Sequence, residues 1–330
     1  PILQFEMTRN EYAYPYDVLT HWLLEEIELE VEVKACRQLV LHNQIGQLSA
    51  LAPFSPFGPL PDHISYLIVV CELVLFRQLR DASVDIEWAG LPSNLGGFAE
   101  YYRGYQEPLK ADAVKVKLSV LVDGKWSKSN NASPLFDFET KEDGSPSVQV
   151  RSENRIAFTP LMSLYKPTHP TLLPKDGARF IYNSSTMNGM FKLSLDEPAG
   201  AFGHQEYPQL LTRVLTQNAQ KRKVGLMTAQ PNPPYTPQIS RIVFNYKAYS
   251  TINFDQSQSE LASQHQEVFL HLHPMGSKVM RVNESKMIPL VPHYPAAGNL
   301  MIGLDAERLQ GRLSLYFYLR EDSLPMPRGT

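Results

Sequence analysis

The sequence predicts a mainly β protein, built as antiparallel β-sandwich or barrel-like domains with few short helices. Three observations predict it. Apolar and polar residues alternate with a period of two through several segments, turn signals separate those segments, and only one stretch has clear helical spacing. The chain also carries 26 prolines in 330 residues, above the usual share of about 5%, so much of it must be loop or strand edge.

The strands follow in order. Within 27–33 the side chains of Ile27, Leu29, Val31 and Val33 share one face, and Glu28, Glu30 and Glu32 the other. A short strand is expected over 39–42. The run 64–76 is apolar except for Glu72, but its length of about 13 residues falls short of the roughly 20 a membrane helix needs, so it reads as core. In SVDIEW, Val84, Ile86 and Trp88 point inward. Val114 to Val122 repeat the alternation, and Asp123-Gly124 then reads as a hairpin turn. Further strands are expected over 148–151, 178–182, 190–195, 241–249, 268–273, 300–304 and 312–319. The polar stretches 128–147 and 165–177 read as loops.

The clear helix lies near 207–220. Pro208 suits a first turn, Leu211, Val214 and Leu215 keep helical spacing, and Lys221, Arg222 and Lys223 complement the carboxyl end of the dipole. A shorter helix is expected at FAEYYRGY, with Phe98, Tyr102 and Tyr105 on one side. Beyond the long helix, QPNPPYTPQIS concentrates Pro231, Pro233, Pro234 and Pro237, which stiffen the chain toward extended geometry. It reads as a rigid joint, giving a β-rich domain over 1–230 and a second β domain over 231–330 that is incomplete at its C-terminal end. The chain starts at Pro1 without an initiator Met or signal peptide, as expected of a piece of a longer polypeptide.

Chemistry is sparse in the sequence. A net charge of −3 and pI near 6.3 do not favour nucleic acid or anionic membrane as partners. The nucleophile-elbow, phosphate-loop and zinc-protease motifs do not occur, and no cofactor is implied. Cys36 and Cys71 sit among apolar neighbours, which excludes a disulfide framework and makes buried free thiols the expectation. His271 and His273 project the same way from a strand and could share an ion with His293 or His265, but no carboxylate stands at a diagnostic spacing, so packed imidazoles are the better reading. Asp85 and Glu87 share a strand face and read as a solvated surface rather than an acid/base pair. Aromatics clustered with prolines remain: Pro56, Phe57, Pro59 and Pro61; Tyr101, Tyr102 and Tyr105; and Pro231, Pro234, Tyr235 and Pro237. Such loops suit protein contacts, or are pinned onto their own domain.

Read together, several of these segments resemble a known family. The Pro-Phe-Gly-x-x-Pro loop at Pro56 to Pro61, the Trp-x-x-Leu-Pro strand end at Trp88 to Pro92 and the paired tyrosines Tyr101 and Tyr102 occur in order. Ala-Phe-Gly-His at Ala201 to His204, Asn-Pro-Pro-Tyr-Thr-Pro at Asn232 to Pro237, FLHLHPMG and the C-terminal NLMIGLDAERLQGRLSLYFYL follow. This order is similar to that of the large baseplate wedge proteins of extracellular contractile injection systems, such as antifeeding prophages and Photorhabdus virulence cassettes. The chain departs from the pattern at DHISYL, where a glycine is expected, so the turn near His63 is built differently.

The resemblance implies a structural, non-enzymatic role: a wedge segment linking spike and tube to the contractile sheath. Implied partners are a companion wedge subunit, spike hub, sheath initiator and copies of itself in a six-fold ring. Assembly would occur in the bacterial cytoplasm, followed by release in an extracellular particle. The aromatic and proline loops would be the contacts. Two rivals stand beside it: a carbohydrate- or surface-binding β-sandwich of a fibre or adhesin, using Trp22, Trp88 or Trp126, and a metal hydrolase using His271, His273 and His293.

Overall fold

The computed structural model describes residues 4–6, 16–140, 146–168, 185–221, 227–253, 269–273, 276–280, 287–292, 302 and 314–318. Strands dominate them. The amino-terminal part holds α1 (Tyr16–Leu19), β1 (Leu23–Leu24), β2 (Glu26–Cys36), β3 (Leu39–Asn43), β4 (Gln47–Leu48), β5 (Tyr66–Cys71) and β6 (Gln78–Ala89). The middle holds α2 (Gly97–Tyr101), β7 (Lys115–Val122), β8 (Lys125–Pro134), β9 (Phe138–Thr140), β10 (Pro146–Val150), β11 (Glu153–Ala157) and β12 (Phe191–Glu197). Then come α3 (Tyr207–Ala219), β13 (Gln238–Asn253), β14 (Phe269–His273), β15 (Gly276–Met280) and β16 (Ile288–Pro289).

The chain divides into a large unit, 27–252, and a small unit formed by the two flanking segments. This partition differs from a boundary at 230/231. The strand that follows the proline run, β13, pairs with β6 from Gln238 to Tyr249, so residues on both sides of the prolines belong to one body.

Two main sheets build the large unit, one six-stranded in the order β4-β3-β5-β12-β7-β8 and one four-stranded in the order β11-β6-β13-β2, and β9 and β10 form a separate two-stranded sheet. Neither main sheet closes on itself among the described residues, so the architecture is a β-sandwich. The period of two explains why. In β12, Phe191, Leu193 and Leu195 are buried while Lys192, Ser194 and Asp196 between them are partly exposed. In β6, Val84, Ile86 and Trp88 face the same core. Phe191 marks its centre: its ring centroid lies 4.7 Å from Phe158 and 5.3 Å from Phe244, joining the two sheets. Its register partners, Val69 and Val120, are also fully buried.

β5 is buried on both faces, as its unbroken apolar run requires. Leu67, Val69 and Cys71 enter the main core, while Ile68 and Val70 join Val40, Leu75, Leu121 and Met190 in a second cluster. The hairpin between β7 and β8 turns at Asp123 (φ 49°) and Gly124 (φ 75°), the doubly left-handed geometry that the Asp-Gly pair favours.

The stretch 128–147 is not simply a loop. It supplies most of β8, all of β9 and the start of β10, and ENRIA forms β11, a strand not expected. β8 is the outermost strand of its sheet and mostly polar, KWSKSNNASP, so its side chains show no apolar alternation. Pairing with β7 through the hairpin makes it a strand. Within 312–319, the described residues 314–318 form no strand, because a ladder needs a partner and none pairs with them among the described residues. The expected strands 178–182 and 300–304 lie outside the described residues, except for Ile302.

In the small unit, β1 pairs with β16 and β14 with β15, both antiparallel. Ile288 is buried, and Leu290 donates its amide to the Trp22 carbonyl at 3.0 Å.

Replacing Phe191 by Ala should lower the unfolding free energy by about 3–5 kcal/mol, the usual cost of deleting a buried aromatic ring. Urea denaturation followed by far-UV circular dichroism measures it; a loss below about 1 kcal/mol would show that Phe191 does not join the sheets.

Candidate interface

Strand ends and loops converge at one end of the sandwich, where β6 finishes and β13 begins. Their joining follows from the chemistry of the proline segment. Pro231, Pro233, Pro234 and Pro237 have no amide hydrogen, so the segment is rich in carbonyl acceptors and poor in donors. It cannot enter a ladder over its length, and tyrosine hydroxyls supply the missing donors.

Tyr101 donates its hydroxyl to the Pro233 carbonyl at 2.8 Å, and Tyr105 donates to the Asn232 carbonyl at 2.8 Å. Asn232 returns a bond from Nδ2 to the Tyr101 carbonyl at 2.9 Å. The Tyr102 hydroxyl sits deepest. It accepts the Tyr235 amide at 2.8 Å and donates to the Phe202 carbonyl at 3.0 Å. Tyr235 in turn donates its hydroxyl to the Ala89 carbonyl, 3.1 Å away at the end of β6.

Aromatic packing closes the same region. The Phe98 ring stands edge-on to Tyr235 at 5.3 Å, Tyr102 lies 4.8 Å from Tyr105, and Phe202 stands edge-on to Tyr235 at 5.9 Å. Small residues permit the approach: a Cβ on Gly104 would stand 3.2 Å from the Pro231 Cα, and one on Gly203 3.1 Å from the Tyr105 ring.

The Pro56 to Pro61 loop joins from the other side. Phe54 and Ile239 exchange backbone bonds of 3.1 and 2.8 Å, tying the loop to the start of β13, and Thr236 Oγ1 donates to the Pro59 carbonyl at 3.4 Å. Gln44 Nε2 reaches the Phe57 carbonyl at 2.6 Å. The turn near His63 is built without glycine: the Asp62 carboxylate accepts the Ile64 amide at 3.0 Å and the Ser65 hydroxyl at 2.9 Å.

The structure therefore brings all three predicted loops together, but mostly turns them inward. Pro56, Phe57, Pro61, Tyr102, Tyr105, Pro231, Tyr235 and Pro237 are buried in their own unit, Tyr101 and Pro234 are half-buried, and Pro59 is exposed. Beside the exposed Pro59, the same loop region offers outward Leu60, 70% exposed and within the predicted 56–61 loop, and Ile64, 67% exposed, which is not among the predicted contacts. Their signal was available, since both are apolar residues in a proline-bounded loop. Phe98, Phe202 and Asn232 are also not among the predicted contacts, because the hydrogen bonds and ring contacts that draw them in include partners remote in sequence, Tyr102 lying 100 residues from Phe202 and Tyr101 131 from Asn232.

The other candidates resolve individually. Asp85 accepts from Asn245 Nδ2 at 2.8 Å and lies 3.6 Å from Arg155, and Glu87 pairs with Arg241 at 2.9 Å; both belong to an ion-paired outer sheet face. His271 Nε2 lies 2.8 Å from the Pro289 carbonyl, and burial holds its pKa below the usual imidazole value. His265 and His293 lie outside the described residues, and no group of three metal-type ligands occurs among the described residues. Trp88 is core, and Trp22 in the small unit is exposed. One face of Trp126 carries the Lys192 ammonium at 4.2 Å, where burial, reinforced by Lys128, lowers the lysine pKa to about 8.

No protein-family model matches the chain, and no curated protein matches it.

Burial of Tyr102, Tyr105 and Tyr235 raises each phenol pKa. A raised phenol pKa contributes stability that is complete below the unfolded value of about 10 and is lost as pH rises beyond it. The urea midpoint should therefore fall between about pH 9 and pH 11, and the fall should be shallower in Tyr105→Phe. A midpoint independent of pH across that window would contradict the assignment. Tyr102→Phe should cost about 2–4 kcal/mol at neutral pH, since it strands both a buried amide and a buried carbonyl; a calorimetric loss no larger than that of Tyr105→Phe would show that the bridge is not formed.

Proposed function

We propose that the chain is a rigid structural segment of a multi-subunit assembly, and specifically a wedge segment in the baseplate of a contractile, phage-tail-like injection particle. One observation carries the reading. Five of the segments that carry the resemblance, the Pro56 to Pro61 loop, the Trp88 to Pro92 strand end, the tyrosines Tyr101 and Tyr102, Ala201 to His204 and Asn232 to Pro237, up to 177 residues apart in sequence, are bonded to one another in a single knot at the end of the sandwich. Residues shared for catalysis would converge on a cavity; these converge on each other. A subunit that passes a displacement from one neighbour to the next needs contact loops fixed to a stiff body, because interfaces switch between discrete arrangements only when their supports do not deform. Here the loop bearing Pro59, Leu60 and Ile64 is fixed on one side by Gln44 and on the other by Ile239 and Thr236. The companion subunit, spike hub, sheath initiator and further copies of the chain are its proposed neighbours.

Antibodies raised against the purified chain test this on contractile particles isolated from the source cells. Immunogold electron microscopy should place label at the baseplate end of the sheath. Particles that carry no label, combined with glycan-array binding by the purified chain, would replace the wedge reading with a carbohydrate-binding module.

A further inference from the structure

Cys36 and Cys71 are 35 residues apart in sequence and belong to different sheets, yet their Sγ atoms lie 3.6 Å apart. Cys36 ends β2 of the four-stranded sheet, and Cys71 ends β5 of the six-stranded sheet. The backbone is bent to achieve this. The alternation of β2, in which Ile27, Leu29 and Val33 are half-buried and Val31 on the same face is exposed, would place Ala35 on that face next and turn Cys36 to the other. Instead Ala35 adopts φ 56°, a left-handed conformation unusual for alanine, and Cys36 turns into the core. The bend is held by Asn245, whose Oδ1 accepts the Ala35 amide at 2.8 Å while its Nδ2 donates to Asp85 at 2.8 Å.

We infer that Cys36 and Cys71 are an oxidation site, where a low-molecular-weight disulfide converts the two thiols into one covalent link between the sheets. The steps balance. Cys36, the partner with residual exposure (8% against 0% for Cys71), loses its proton and attacks one sulfur of the small disulfide, releasing one small thiolate. Cys71 then gives up its proton and attacks Cys36 Sγ, releasing the second. Two protein thiols lose two electrons and the small disulfide gains them, becoming two thiols. Burial, and Cys36 beside it, push the Cys71 thiol up to about 12, which leaves little of it as the attacking thiolate at neutral pH and makes the link slow to form. To form the link the Sγ atoms must close from 3.6 Å to about 2.05 Å.

The test is incubation of the folded chain with glutathione disulfide, followed by thiol titration, intact mass and peptide mapping. The expected result is loss of both thiols, a mass lower by two hydrogens with no glutathione retained, and a peptide containing Cys36 joined to one containing Cys71. The oxidised chain should melt about 5–10 °C above the reduced one, because the link restricts the unfolded chain; Cys71→Ser should show no such rise. Stable glutathione adducts on separate cysteines would overturn the proposal. So would thiols that persist in the folded chain but react in denaturant, or an oxidised form that melts lower than the reduced one.

Discussion

The closed end of the large unit depends on one buried hydroxyl. Tyr102 Oη is both acceptor and donor, bridging the Tyr235 amide to the Phe202 carbonyl in a region with no access to water. A buried backbone group left without a partner costs more than an average hydrogen bond contributes, so the bridge fixes geometry more firmly than its net energy suggests. It holds Tyr235 in place, Tyr235 reaches the end of β6, and two residues beyond Pro237 Ile239 begins the exchange with Phe54.

This arrangement gives the prolines a physical role. A segment with few amide donors is a poor strand and a poor helix, but it presents carbonyls in a stiff, extended row. Tyrosines on a short helix and the turn after it are suited to meet such a row, because each supplies a hydroxyl on a rigid ring that also buries apolar area. Prolines and tyrosines thus form a complementary pair within one molecule, and the stiffness of both is inherited by the loop that carries Leu60 and Ile64.

The two sheets treat their outer faces differently. The four-stranded sheet covers its own with ion pairs, Arg241 reaching both Glu87 and Glu153 and Arg155 reaching Asp85 and Ser83. The six-stranded sheet carries an apolar cluster there, with Lys192 lying over Trp126 beside it. The thiols of Cys36 and Cys71 meet between the sheets, away from the proline and tyrosine knot, so the sandwich has a polar seam at one end and a sulfur contact elsewhere in its core.

The sequence by itself determined the mainly β class, the strands with apolar alternation such as β2, β6, β7 and β13, the Asp-Gly hairpin and the long helix α3. Each follows from interactions within a few residues, which periodicity and turn chemistry report directly. Only the tertiary structure decided that polar KWSKSNNASP is a strand, that Pro231 to Pro237 is a seam inside one unit, and that Tyr102 and Phe57 are buried rather than presented. Those outcomes depend on partners far away in the chain: β8 on the neighbour its hairpin provides, and the tyrosines on carbonyls 132 and 127 residues ahead. A local pattern shows that a side chain can make a contact; only the folded chain decides whether its own backbone has already taken it.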